Sequence, residues 1–344
     1  LRWRGPVGLC IGCATACAPA DDAVSVTRTD SAGVEIIVSA GEDRPLDWTF
    51  TPRLTLGGTD SGPESFYDLS AQSVATDGVG RLYVLDPSAF RIVAFDSEGA
   101  HVWSAGAEGE GPGELIAPIA VTASDDGLVS VVDARAMKIE HFDSAGRYIG
   151  GERLSSPPWM SQFGRSGAEL IVDERPVLLS DEPRERLLAV SEGDTAELAT
   201  VELEPQQRME FDGCPVMVAM PPIFGAELWW AASQNRIAVA TGPEYAVSLF
   251  ESGRLTRSYR REIRPTPATP ELAAAEIPNG LSLGAGPVRC DIPPEEAVEK
   301  RGFGPFVPLM RGLAIAPDGT VWVQRTRTQE NRAAFDLFAA DGAY

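Results

Sequence analysis

The chain's two histidines, His101 and His141, are its whole supply of the side chain that most often moves protons at neutral pH. A Ser/His/Asp hydrolase needs one of them in an active-site loop, beside a nucleophile. His101 opens the alternating run His101 to Ala105, and His141 lies within another beside Phe142, so both read as strand residues with structural or surface roles. Metal-assisted hydrolysis or elimination on strands would gather Asp, Glu, Asn or His around one Ca or Zn ion. Asp77, Glu227 and Asn235 stand near predicted strand ends, too few to define such a ring. The run Gly109-Glu110-Gly111-Pro112-Gly113-Glu114 has the glycines of a phosphate cradle. It lacks the Lys-Ser/Thr of a P-loop and precedes a strand, which excludes that chemistry. Trp229-Trp230 is a weak binding candidate: neighbours on a strand point to opposite faces, one toward a ligand and one toward packing, although packing alone accounts for the pair. No catalytic residue, metal ligand or cofactor site is assigned.

Five cysteines divide into two groups. Cys10, Cys13 and Cys17 fall in residues 1–17, where two arginines precede a short run of small and apolar residues ending Ala14-Thr15-Ala16-Cys17. That is the layout of a secretory signal, too short to span a bilayer. Ala-Thr-Ala-Cys further resembles a bacterial lipoprotein signal, which implies lipidation at Cys17 after cleavage. The first residue is Leu1, read as a non-Met start or a missing upstream piece. Cys214 and Cys290 lie in irregular segments, and an oxidising compartment favours their pairing; separate buried thiols are the alternative. Neither spacing is that of a zinc site.

With 29 basic and 50 acidic residues the formal charge is −21, which repels phosphate backbones and anionic lipid surfaces. Nucleic acid is therefore excluded as a partner, and membrane contact is expected through the N-terminal lipid only. A 44% hydrophobic fraction suits a globular core.

The elements that would position these residues are repeated. Residues 74–99 (VATDGVGRLYVLDPSAFRIVAFDSEG) overlay residues 121–146 (VTASDDGLVSVVDARAMKIEHFDSAG) without a gap, at an offset of 47. A period of this length built from short alternating strands and Gly turns is the pattern of propeller blades. Asp86/Asp133 and Asp96/Asp143 recur at strand ends, where a carboxylate accepts turn N–H groups, so a structural task is expected of them. Further units are predicted over about 160–203, 223–263 and 310–342, and strands at 34–39 and 49–56 precede the first. Residues 18–31 read as a tether. A Pro-rich insertion, 264–309, carries two helix starts, Thr269-Pro270-Glu271 and Pro294-Glu295-Glu296.

The Gly-Pro loops at 58–66 and 106–115, with Gly in the first turn, Val-x-Asp in the second strand and Ile-x-x-Phe-Asp in the third, resemble the NHL repeat. The whole is similar to bacterial six-bladed propeller lipoproteins built from NHL-like blades. That resemblance implies an all-β, six-bladed propeller over 32–344, in which strands beyond the fifth unit complete the ring with the N-terminal ones. The last blade is expected to be incomplete at Tyr344, through truncation of the C-terminus or, as the alternative, in a ring that closes with a defective last blade. The implied protein is exported, lipid-anchored in the periplasm or outer membrane and monomeric, a non-enzymatic binding or scaffold module for a protein, peptide or glycan. A metal-dependent propeller hydrolase or lyase, with its site on the central channel, is the alternative.

Overall fold

The computed structural model describes residues 25–342 except 44, 47, 50, 59–61, 68, 155–157, 159–160, 177–179, 181–182, 192–193 and 327–333. The signal segment with Cys17, and residues 18–24 of the expected tether, lie outside the described residues.

Residues 25–31, also expected to be tether, form a strand. β1 (Ser25–Ser31) pairs antiparallel with β2 (Val34–Ala40) across Ala32-Gly33, both at positive φ (53° and 83°), the geometry that a two-residue hairpin of matching twist requires. The strand predicted over 49–56 is absent: the described residues from 51 to 57 have no sheet partner. They run between two sheets instead, with Trp48 against Trp322 (centroids 6.1 Å apart) and Leu54 and Leu56 packed over the Gly99 turn.

The repeats form small antiparallel sheets. Sheet I holds β3 (Val74–Thr76), β4 (Leu82–Asp86), β5 (Arg91–Phe95) and β6 (His101–Ala105). Sheet II holds β7 (Pro118–Ala123), β8 (Val129–Asp133), β9 (Lys138–Phe142) and β10 (Tyr148–Arg153). Sheet III holds β11 (Gln162–Ser166), β12 (Glu169–Glu174), β13 (Arg184–Ser191) and β14 (Asp194–Glu202). A hairpin of β15 (Gln207–Phe211) and β16 (Cys214–Met220) follows. Sheet IV holds β17 (Leu228–Ser233), β18 (Arg236–Thr241), β19 (Ala246–Glu251) and β20 (Arg254–Arg261). The excursion then runs through β21 (Thr266–Pro267), α1 (Pro270–Glu276), β22 (Leu281–Ala285), β23 (Val288–Ile292), α2 (Pro294–Arg301) and β24 (Phe306–Val307). Sheet V closes the described chain with β25 (Met310–Ile315), β26 (Val321–Arg325) and β27 (Phe335–Phe338). The first strands β3, β7, β11, β17 and β25 neighbour one another in that order, so the nearly all-β arrangement is consistent with a propeller.

Burial on both faces explains the nearly continuous apolar runs. Tyr83, Leu85, Ile92 and Ala94 point toward sheet II, while Val84, Val93 and Phe95 point the other way to Leu56 and Phe66. Each of the Val, Leu, Ile and Phe side chains contributes roughly 1.5–3 kcal/mol when fully buried. The recurring aspartates hold turns: Asp96 Oδ1 accepts from the N–H of Glu98 and Ala100, and Asp143 Oδ1 from Ala145 and Arg147. The N-terminal hairpin does not pair with sheet V. β2 lies parallel to β20, extending sheet IV to six strands, because Glu35 accepts from Arg28 and from Arg257 while Ile37 buries beside Tyr259 and Phe338.

The expected insertion at 264–309 is one half of a larger cap. The β15–β16 hairpin packs against β22, β23 and α2 around Met209, Phe211, Leu283, Ile292 and Ala297, a core of its own. A Cys214–Cys290 disulfide, Cα atoms 5.8 Å apart, joins the two excursions. Thr269 caps α1 by accepting from the Leu272 N–H.

Candidate functional site: a two-compartment cleft at the head of β17

The chain enters β17 through Pro221 to Glu227, and this entry segment is held away from the sheet by the cap. Ile223 N–H donates to Gly302 O (3.0 Å) and Gly304 N–H to Ile223 O (2.7 Å), just beyond the C-terminus of α2. Any Cβ on Gly304 would run into the Phe224 carbonyl, so glycine is what permits the approach. Phe224 itself adopts φ 59°, unusual for a bulky residue and a local cost that the two flanking bonds offset.

Held in this way, the segment 224–227 is a wall with a cavity on each side. One, of about 250 Å³, has a lining of Trp229, Phe306, Pro243, Pro305 and Met310, with Glu204 and Glu227 supplying its charge. The other, of about 190 Å³, is polar, with Arg301, Arg311 and Glu276. Arg311 lies 5.7 Å from the Phe224 ring centroid and pairs with Glu276 at 2.9 Å. Glu276 ends α1, where the helix dipole disfavours an acid, so the arginine is what holds it there. Arg301 ends α2 and donates from Nε to Pro221 O.

Beneath the wall lies a pair of acids. Asp173 and Glu185 are buried, at 0% and 3% exposure, and Arg175 reaches both, at 3.7 Å and 2.8 Å. Leu228 N–H donates to Glu185 Oε2 (3.2 Å) and the Trp230 indole N–H to Asp173 Oδ2 (3.3 Å). Burial, and then the neighbouring Asp173 charge, push the Glu185 carboxyl up to about 7. Glu227 opens to solvent, yet surrounding protein raises its carboxyl too, with Arg311 opposing the rise.

The two tryptophans separate as adjacent strand residues must. Trp230 turns to sheet III, its ring filling the space over Gly164, whereas Trp229 lines the apolar cavity and packs on the core between sheets IV and V. Asp77 holds its own turn, accepting from Val79 N–H, Arg81 N–H and Tyr83 O–H. Asn235 lies in the β17–β18 turn, bonded to Ser252, at the opposite end of β17 from Glu227 and about 20 Å along the strand. These three therefore do not converge, and among the described residues no group of three or more His, Cys, Asp or Glu is placed to hold a metal ion.

His101 is exposed at the start of β6 and contacts Ser104 Oγ (2.9 Å). His141 has the outline of a Ser–His–Glu set: Nδ1 lies 2.9 Å from Ser130 Oγ and Nε2 3.7 Å from Glu152. Ser130 is wholly buried between sheets II and III and its Oγ accepts from Arg165 (2.8 Å), while burial lowers the His141 pKa. The hydroxyl that would have to attack is thus buried and held by Arg165, as in a packing network. Glu204, Phe224, Phe306, Arg301, Arg311, Asp173 and Glu185 were not singled out by sequence reasoning; for Asp173 alone a signal existed, the Gly-to-Asp spacing of the repeat.

Comparison with solved structures gives distant likenesses. An exported protein from Bacteroides fragilis is 12% identical, over 80% of this chain and 72% of its own, with a TM-score of 0.39. Virginiamycin B lyase from Staphylococcus aureus is 11% identical over 77% and 68%, TM-score 0.34, and glutaminyl cyclase from Myxococcus xanthus 10% over 77% and 90%, TM-score 0.33. Likenesses this distant carry no argument about activity. No family model and no curated protein matches the chain. Among the described residues no helix is long and apolar enough to cross a membrane.

Proposed function

We propose that this protein is a non-enzymatic binding module, a six-bladed NHL-like propeller anchored in the bacterial cell envelope through lipid on Cys17, which takes a protein, peptide or glycan ligand in the cleft beside Trp229. The observation that carries the reading is the lining of that cleft. It offers aromatic, proline and methionine surface with a few fixed charges, the make-up of a recognition pocket. Its described lining residues include no Ser, Thr, Cys, His, Lys or Tyr, so the usual non-carboxylate nucleophiles and their partner bases are not gathered there.

What supports a sixth blade is a pair of sheet faces that, among the described residues, an extended segment covers and no further sheet does. On sheet V, Trp322 and Phe335 turn away from sheet IV toward Trp48; on sheet I, Val84, Val93 and Phe95 pack with Leu56, Phe66 and Leu82. Trp48, Leu54 and Phe335 remain 56%, 46% and 46% exposed, apolar area that a further unit at this seam would bury.

The binding reading is tested by selecting displayed peptides and glycans on the full chain. Ligands are expected that bind the wild type and lose at least tenfold in affinity to Trp229→Ala, while Trp103→Ala, in sheet I, leaves binding unchanged. Ligands that ignore Trp229→Ala would place recognition elsewhere.

A further inference from the structure

The cleft's two compartments are made of the same parts, with one difference. On the polar side a guanidinium, Arg311, stands over the Phe224 ring and is closed off by the Glu276 carboxylate. On the apolar side Trp229 and Phe306 supply the aromatic surface, and the carboxylates are Glu204 and Glu227, the latter shared with the polar side, yet the described lining residues include no Lys, Arg or His. We propose, resting on the binding reading above, that this second compartment receives an arginine side chain from a peptide or protein partner.

Four observations select that ligand. Size comes first: about 250 Å³ falls below the roughly 300–1,000 Å³ of a pocket for a drug-sized molecule and suits a single side chain. Charge comes next. An anion would meet the Glu204 and Glu227 carboxylates, and an apolar group would leave the charge of Glu204 unanswered; Glu227 already feels Arg311 from the polar side, so Glu204 is the stronger partner for an incoming cation. The chemistry of the walls favours guanidinium over ammonium, since arginine is the more weakly hydrated cation and stacks its planar head on aromatic faces while its stem lies on apolar surface such as Pro243 and Met310. Access is open: Glu204 and Glu227 are exposed and Phe306 is 39% exposed. The whole-chain charge of −21 adds a long-range field that concentrates cations at the mouth.

The test is titration calorimetry of the full chain with two blocked tripeptides, acetyl-Ala-Arg-Ala-amide and its citrulline counterpart, which keeps the shape and removes the charge. The arginine peptide is expected to bind at least tenfold more tightly. Glu204→Gln and Glu227→Gln are each expected to cost about tenfold for arginine and little for citrulline, and Trp229→Ala to remove both. Glu204 is exposed, so its variant reports even if Glu227→Gln folds poorly. Equal affinity for the two peptides, no binding of the arginine peptide at millimolar concentration, or arginine binding unchanged in both glutamine variants would overturn the proposal. A library ligand that needs Trp229 but carries no cation would sink the arginine assignment and leave the binding reading standing.

Discussion

Asp173 shows one repeat position taking on a second task. The spacing from Gly80 to Asp86 and Gly127 to Asp133 recurs from Gly167 to Asp173. Asp86 accepts from Ala89 N–H and lies 3.5 Å from the Arg91 guanidinium, and Asp133 accepts from Ile116, Ala117 and Ala136 N–H, so both hold local backbone. Asp173 instead faces the Trp230 indole, Arg175 and Glu185. The consequence is measurable on Glu185, whose carboxyl rises from 4.5 to about 7 on folding. Between those values the folded state holds a proton that the unfolded chain has lost, so this contribution is full below pH 4.5 and disappears as pH rises through about 7. Urea denaturation across that window is expected to show the wild type losing on the order of 2 kcal/mol toward high pH. Glu185→Gln, which can still accept from Leu228 N–H, should at least halve the slope; an unchanged slope would mean that another group holds the proton. The Asp spacing was legible along the chain. Its new environment was not, because Trp230 lies 57 residues away on another sheet.

At the scale of elements, local rules worked where local physics decides. Thr269-Pro270-Glu271 announced α1, and short apolar runs bounded by Gly turns announced the strands of sheets I and II, since capping and turn geometry act within a few residues. The 207–220 hairpin escaped notice because its apolar side finds its cover on the excursion that follows sheet IV. A strand predicted over 49–56 has no counterpart among the described residues for the converse reason: none of those residues lies beside it as a strand to share its hydrogen bonds. The cap's cohesion is expected to depend on the Cys214–Cys290 link across 76 residues. Cys214→Ser with Cys290→Ser should lower stability by about 2–4 kcal/mol. Hydrogen exchange should then accelerate at β15, β16, β22 and β23 while sheets I and II keep their protection. Uniform loss across the chain would show that cap and sheets unfold as one unit.

On the scale of the whole molecule, the formal charge of −21 works against attachment to an anionic lipid surface by charge, so the anchor proposed above rests on Cys17 alone. Cys17→Ala is expected to move the protein from the membrane fraction to the soluble one, and unchanged partitioning would refute the anchor. The sequence by itself determined what short-range physics encodes: the repeat, the strand alternation, the turn aspartates and the helix caps. Only the tertiary structure decided that β2 joins β20, that two excursions share one core, and that Phe224 becomes a wall between Arg311 and Trp229. Those outcomes are contacts between residues tens to hundreds of positions apart. They depend on which sheet faces remain uncovered once every local preference is satisfied, and no window along the chain contains both sides of such a contact.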